Sequence, residues 1–142
     1  ENKIKYSCPL ISNVMLIGDQ KKYLSVLITL RVLIDPNTLV PTKVIDPSCK
    51  DLLNKISVDS MDLDQIRENS NVRQLIQEAI NSYNSNAVSN AQKVQKFVIL
   101  DTDFSVPGGE LTETQKLRRK VVVEKYSEKI DSMYTASSSV EL

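Results

Sequence analysis

The 142-residue chain contains no histidine and no tryptophan. The missing imidazole excludes Ser-His-Asp and Cys-His catalysis and removes the commonest zinc ligand. Any chemistry must fall to lysine, arginine, carboxylates or backbone groups. Cysteine is scarce: Cys8 and Cys49 have neither metal-ligand spacing nor a disulfide-rich context, and they suit a reducing compartment. No apolar run approaches the roughly 18 residues that a membrane span needs, so a soluble chain is expected. No apolar signal core follows Glu1-Asn2-Lys3-Ile4-Lys5, and the chain opens without methionine, as a piece of a longer protein would. Charge of one sign is also lacking. With 18 basic and 18 acidic residues the net charge is zero, and neither nucleic acid nor an anionic membrane is supported as a global partner. No G-x-x-x-x-G-K-[ST] or G-x-G-x-x-G is present, so no phosphate-cradling loop is expected.

Hydrophobic residues make up 41%, enough for a modest core in one domain. Residues 1–7 read as the end of a helix closed by Pro9. Val14 to Ile17 is a short apolar strand, and Gly18-Asp19-Gln20-Lys21 supplies turn chemistry. From residue 22 to 34 the pattern alternates. Leu24, Val26, Ile28, Leu30 and Val32 face one way; Tyr23, Ser25, Leu27, Thr29 and Arg31 face the other. Period two predicts a strand, and the short gap before it predicts an antiparallel hairpin. Prolines at 36, 41 and 47 predict a loop to about Ser48. A short helix is expected over 49–56, and Leu63 and Ile66 suggest a further helical turn or two in a polar stretch. Val72, Leu75, Ile76, Ala79, Ile80 and Tyr83 share one helical face, with Ser70 or Asn71 as cap. Residues 96–100 predict a third strand. Val122, Tyr126, Ile130 and Met133 mark a closing helix, and the Ser-rich residues 135–142 a frayed tail. The expected fold is α+β: a small mixed sheet of a β-hairpin plus a further strand, packed with about three helices.

Two of the three glycines sit side by side, Gly108 and Gly109, between the third strand and the closing helix. Such a pair marks a loop whose backbone bends freely or approaches something closely. Thr112, Glu113, Thr114 and Gln115 follow, then Lys116 and the cations Arg118, Arg119 and Lys120. One reading is structural: Thr112 and Gln115 have the form of a capping box, and the basic run is the solvated first turn of the last helix. Against it, cations at a helix start oppose the dipole, each at about 0.3–1 kcal/mol. The other reading is a loop that brings positive charge to an anion. Asp101, Asp103 and Glu110 flank the loop, but nothing in the sequence buries or pairs them. Asp59, Asp62 and Asp64 lack the glycine and terminal glutamate of a calcium loop and read as a solvated face, so no metal ligands are expected.

Two stretches carry a resemblance. Pro9-Leu10-Ile11-Ser12-Asn13-Val14-Met15-Leu16-Ile17-Gly18-Asp19-Gln20-Lys21-Lys22-Tyr23-Leu24 resembles the start of the carboxy-terminal domain of long-chain fatty acyl-CoA synthetases, in the adenylate-forming superfamily. Gly108-Gly109-Glu110-Leu111-Thr112-Glu113-Thr114-Gln115-Lys116-Leu117-Arg118-Arg119 is similar to that domain's lysine motif, which often reads Glu-Leu-Thr-x-Thr-x-Lys-Leu-Lys-Arg. The likeness is greatest to the bubblegum-type enzymes. It runs from residue 1 to 134 and is weakest over 36–69. It implies a lid domain over 1–134 that partners an amino-terminal adenylation domain. The parent would use ATP, magnesium and coenzyme A to activate a long-chain fatty acid. The parent would be cytoplasmic, with peripheral binding to intracellular membranes open to it. Lys116 would be catalytic in adenylation, while Gly108, Gly109, Thr112 and Thr114 would form the substrate and nucleotide loop. Gln115 departs from the Gly-Lys of many superfamily members. The hinge, the Gly-Glu-Asn segment and the whole nucleotide pocket are missing from this sequence, so the fragment alone is expected to be inactive. The alternative is a non-catalytic interaction module whose Arg118-Arg119-Lys120 patch docks an acidic partner.

Overall fold

The computed structural model describes residues 4–5, 8–18, 23–85 and 93–133. Three strands form the main sheet in the order β1 (Ile11–Ile17), β2 (Leu24–Leu30), β5 (Val94–Ile99). β1 pairs antiparallel with β2, as the expected hairpin requires, and β5 lies parallel to β2. Apart from Gly18, the expected turn at 18–21 lies outside the described residues, as does the tail. β2 is central, and its period-two alternation sends side chains into two cores. Val26 and Ile28, with Val14, meet α1 (Lys50–Lys55), α2 (Leu63–Glu68) and α3 (Ser70–Ser85) through Leu53, Leu63, Ile66, Val72, Ile76 and Ile80. Leu27, with Met15 and Ile17, meets Leu100, Phe104, Leu111, Val122, Tyr126, Ile130 and Met133. Burying each such side chain contributes roughly 1.5–3 kcal/mol, which outweighs the ordinary helix propensity of these short elements.

The helices end where local chemistry says they should. Asp62 caps α2 by accepting from Gln65 N at 3.2 Å. For α3 the cap is Asn69, whose side-chain oxygen accepts from Asn71 N at 2.8 Å, one residue before the positions expected. Asn84, near the end of α3, bonds both Val94 N and Val94 O at 2.8 Å and so pins the start of β5 to the helix.

Two expectations are corrected. The long strand over 22–34 divides at Arg31, whose guanidinium turns back to Pro9 O and Ile11 O. Beyond it β3 (Val32–Ile34) leaves the main sheet. The proline-marked loop contains a strand, β4 (Pro41–Ile45), that pairs antiparallel with β3. Proline is tolerated there because it opens the strand, at a two-stranded edge.

Candidate functional site

Lys116 stands on a small hairpin, not at a helix start. Leu111 and Leu117 bridge its base. Thr112 N donates to Lys116 O and Gln115 N to Thr112 O, both at 2.8 Å, while Lys116 N donates to Thr112 Oγ1 at 3.1 Å. Glu113, Thr114 and Gln115 form the turn, and Gln115 takes φ +67°. A three-residue hairpin loop of this kind closes on a left-handed residue, where glycine is favoured. That conformation is the physical reason why glycine suits the position before the lysine, and glutamine holds it here at some cost. The expected capping box is thereby overturned: Thr112 organises a hairpin, its hydroxyl 3.0 Å from that of Thr114. The closing helix starts only at α4 (Arg119–Lys125), with Arg118 as an N-cap that makes no side-chain bond. A break at Tyr126 (φ −111°, ψ 25°) separates it from helical residues 127–133. Arg118, Arg119 and Lys120 sit at the start of α4, off the hairpin turn that presents Lys116.

The glycine turn comes directly before the hairpin. Gly109 N donates to Val106 O at 3.1 Å, and Gly109 takes φ +88°, which explains one glycine. Gly108 has a different reason. A Cβ there would lie 2.6 Å from both carboxylate oxygens of Glu110 and 2.9 Å from Ser105 Oγ. That carboxylate is 1% exposed. It accepts from Ser105 N at 3.1 Å and pairs with Lys125 Nζ at 2.5 Å, which also reaches Gly108 O at 3.4 Å. The sequence offered Glu110 no partner; the helix that follows supplies one fifteen residues later.

Asp103 is the second buried carboxylate. It accepts from Ser12 Oγ (2.8 Å), Asn13 Nδ2 (3.0 Å), Thr29 Oγ1 (2.7 Å) and its neighbour Phe104 N (2.8 Å). The register of β1 slips between Ile11 and Asn13, so two β1 residues oppose one on β2. Such a bulge re-aims side chains, and here Ser12 and Asn13 both reach the same carboxylate. These contacts tie both strands of the hairpin to the segment leading into the glycine turn. Tyr126 packs beneath, its ring centroid 6.4 Å from that of Phe104. Burial first, then the negative charges of Glu110, Asp101 and Asp103, push its hydroxyl up to about 12.

Of the sequence-predicted residues, the structure places Thr112, Thr114 and Lys116 in one hairpin and Gly108 and Gly109 in the turn before it. The sequence places Asp103 and Glu110 beside the loop without partners and does not single out Lys125; Thr29, one of two polar residues in the apolar strand β2, is the available signal for Asp103. A cavity of about 220 Å³ lies between β4 and the glycine turn, lined by Pro41, Asp103, Gly108 and Lys125 among others. A larger one, about 460 Å³, separates β1 from α4. Lys116 lines neither. Among the described residues no group of three or more Cys, Asp or Glu could hold a metal ion, and no helix is long and apolar enough to cross a membrane. Burial raises both cysteine thiols, which keeps them protonated and unreactive.

The domain is thus a mixed three-stranded sheet with helices on both faces and a small hairpin before the last helix. Solved structures share this fold. The adenylation and carrier didomain of a carboxylic acid reductase from Segniliparus rugosus, bound to AMP, matches 97% of this chain and 16% of its own, with TM-score 0.61 and 17% identity. The adenylation domain of a carboxylate reductase from Mycobacterium chelonae matches 93% of this chain and 17% of its own, with TM-score 0.59 and 19% identity. Residues 52–138 match the family described as AMP-binding enzyme C-terminal domain, and the chain belongs to it. It is 43% identical over 136 residues to the long-chain-fatty-acid–CoA ligase ACSBG2 of Xenopus laevis, covering 94% of this chain and 18% of that protein. It is 40% identical over 136 residues to ACSBG1 of Homo sapiens, covering 94% of this chain and 19% of that protein. The chain thus spans under a fifth of the length of these curated relatives.

Proposed function

We propose that this chain is the mobile C-terminal lid domain of an ATP-dependent long-chain fatty acid–CoA ligase, and that Lys116 is the group it delivers. The observation that carries the reading is the hairpin: an exposed lysine raised on a turn whose base is fixed to the core. The fatty-acid specificity is supported by the similarity to long-chain-fatty-acid–CoA ligases. In the first half-reaction the ammonium stabilises charge between the fatty-acid carboxylate and the α-phosphate. Lysine suits this as a compact charge on a long stem. Gly108, Gly109, Thr112 and Thr114 shape the loop that carries it. In the second half-reaction the lid withdraws the lysine and helps to form the coenzyme A site. ATP, Mg²⁺ and the fatty acid are assigned to the adenylation domain; among the described residues no group of three or more Cys, Asp or Glu could hold a metal ion. The same reading makes the parent a cytoplasmic enzyme that can bind intracellular membranes peripherally.

The test is Lys116→Ala in the full-length ligase, with the half-reactions measured separately. ATP–pyrophosphate exchange should fall about 10²–10³-fold, the usual loss of one aimed donor. Transfer from preformed acyl-adenylate to coenzyme A should change far less. Equal losses in both would remove the assigned role.

A further inference from the structure

The turn that presents Lys116 has no core of its own, since Glu113, Thr114, Gln115 and Lys116 are all exposed. Its direction is set at the base, and the base converges on one residue. Glu110 O accepts from Arg118 N at 2.8 Å, closing the hairpin beyond the Leu111–Leu117 bridge. The Glu110 side chain goes the other way. It is held between Ser105 N and Lys125 Nζ, under a roof that Gly108 leaves open. Lys125 ends α4, which is anchored in the second core by Val122. One residue therefore ties the hairpin, the glycine turn and the last helix together.

We propose that Glu110 and Lys125 are positioning residues for Lys116: their ion pair fixes the angle at which the lysine hairpin leaves the domain. This rests on the reading of Lys116 given above. Glu110 is buried but the Lys125 side chain is 43% exposed, and such a pair is weak evidence for stability. It does impose direction, because each carboxylate oxygen has its own donor. A reacting group needs that direction: a misplacement of about 1 Å can cost roughly 10²-fold in rate. Gly108 completes the latch, because any side chain there would meet the carboxylate while Ser105 and Lys125 hold it in place. The glycine is explained by what lies beneath it, not only by loop freedom.

Lys125→Met in the full-length ligase should lower ATP–pyrophosphate exchange about tenfold, a partial misplacement. The KM for ATP and fatty acid should hold, and transfer from preformed acyl-adenylate should stay within about twofold of wild type. Lys125→Arg, which restores the cation, should recover most of the loss. In a Lys116→Ala background, Lys125→Met should cost nothing further, because the latch acts only through that lysine. Should the single variant fail to fold, Glu110→Gln with Lys125→Met leaves no buried charge and should show the same selective loss. Wild-type exchange in that double variant would overturn the latch, and so would equal losses in both half-reactions. An undiminished tenfold cost on top of Lys116→Ala would overturn it too. Lys116→Ala alone reports separately on the underlying reading.

Discussion

On one side of the β1–β2–β5 sheet, Val14, Val26 and Ile28 meet α1 to α3 in a core of aliphatic side chains and two cysteines. On the other, Leu27 and Met15 share their layer with Thr29, while Asp103, Ser105 and Glu110 lie buried in the segment that crosses it. Both sides bury a mainly apolar core, the second also with Phe104, Tyr126 and two methionines, and apolar burial alone does not separate them. The difference is polar. Both buried carboxylates lie on the side that carries the glycine turn and the Lys116 hairpin, each with several donors. Apolar packing is nondirectional and secures a scaffold; hydrogen-bonded carboxylates fix angles. The directional bonds concentrate on the side that carries the hairpin.

The largest effect on stability is expected in the scaffold core. Ile76→Ala, at a fully buried position, should cost about 2–5 kcal/mol by denaturant unfolding. In the full-length enzyme it should leave the ratio of the two half-reaction rates unchanged. A shift in that ratio would mean that the scaffold side also aims the lysine. Asp103→Asn comes next. It exchanges an acceptor-only group for one with its own donors, facing Ser12, Asn13 and Thr29, and should cost about 1–3 kcal/mol. A neutral result would remove Asp103 as a tie between strands and loop. The smallest effect is at the turn itself. Gln115→Gly relieves a left-handed residue and should raise stability, by under about 1 kcal/mol because glycine also loosens the unfolded chain. A fall in the melting temperature would contradict the strain assigned there.

How far the sequence could be read follows from the range of each interaction. The β1–β2 hairpin, α3 and the closing helix declare themselves through periodicity, which is local. β4 does not, because Pro41 signals a break although its imide nitrogen needs no partner at the start of a strand. The Asp103 contacts span 74 to 91 residues and leave no local mark. Glu110 and Lys125 are fifteen apart across a turn, a hairpin and a helix start, so no helical or strand spacing relates them. Thr112 and Gln115 show the opposite failure. Their spacing fits a capping box, yet the Leu111–Leu117 bridge turns the same residues into a hairpin. Lys116 was singled out by resemblance to a motif; composition alone could say only that cations cluster there.

The central claim is that this domain carries half of an active site, a lysine on an aimed hairpin, and that the other half belongs to a separate adenylation domain. The most direct measurement uses residues 1–142 alone: a thermal melt, and then an assay with ATP, Mg²⁺, a long-chain fatty acid and coenzyme A. A cooperative unfolding transition with no acyl-adenylate and no acyl-CoA is the predicted result. Acyl-CoA formed by the domain by itself would contradict it.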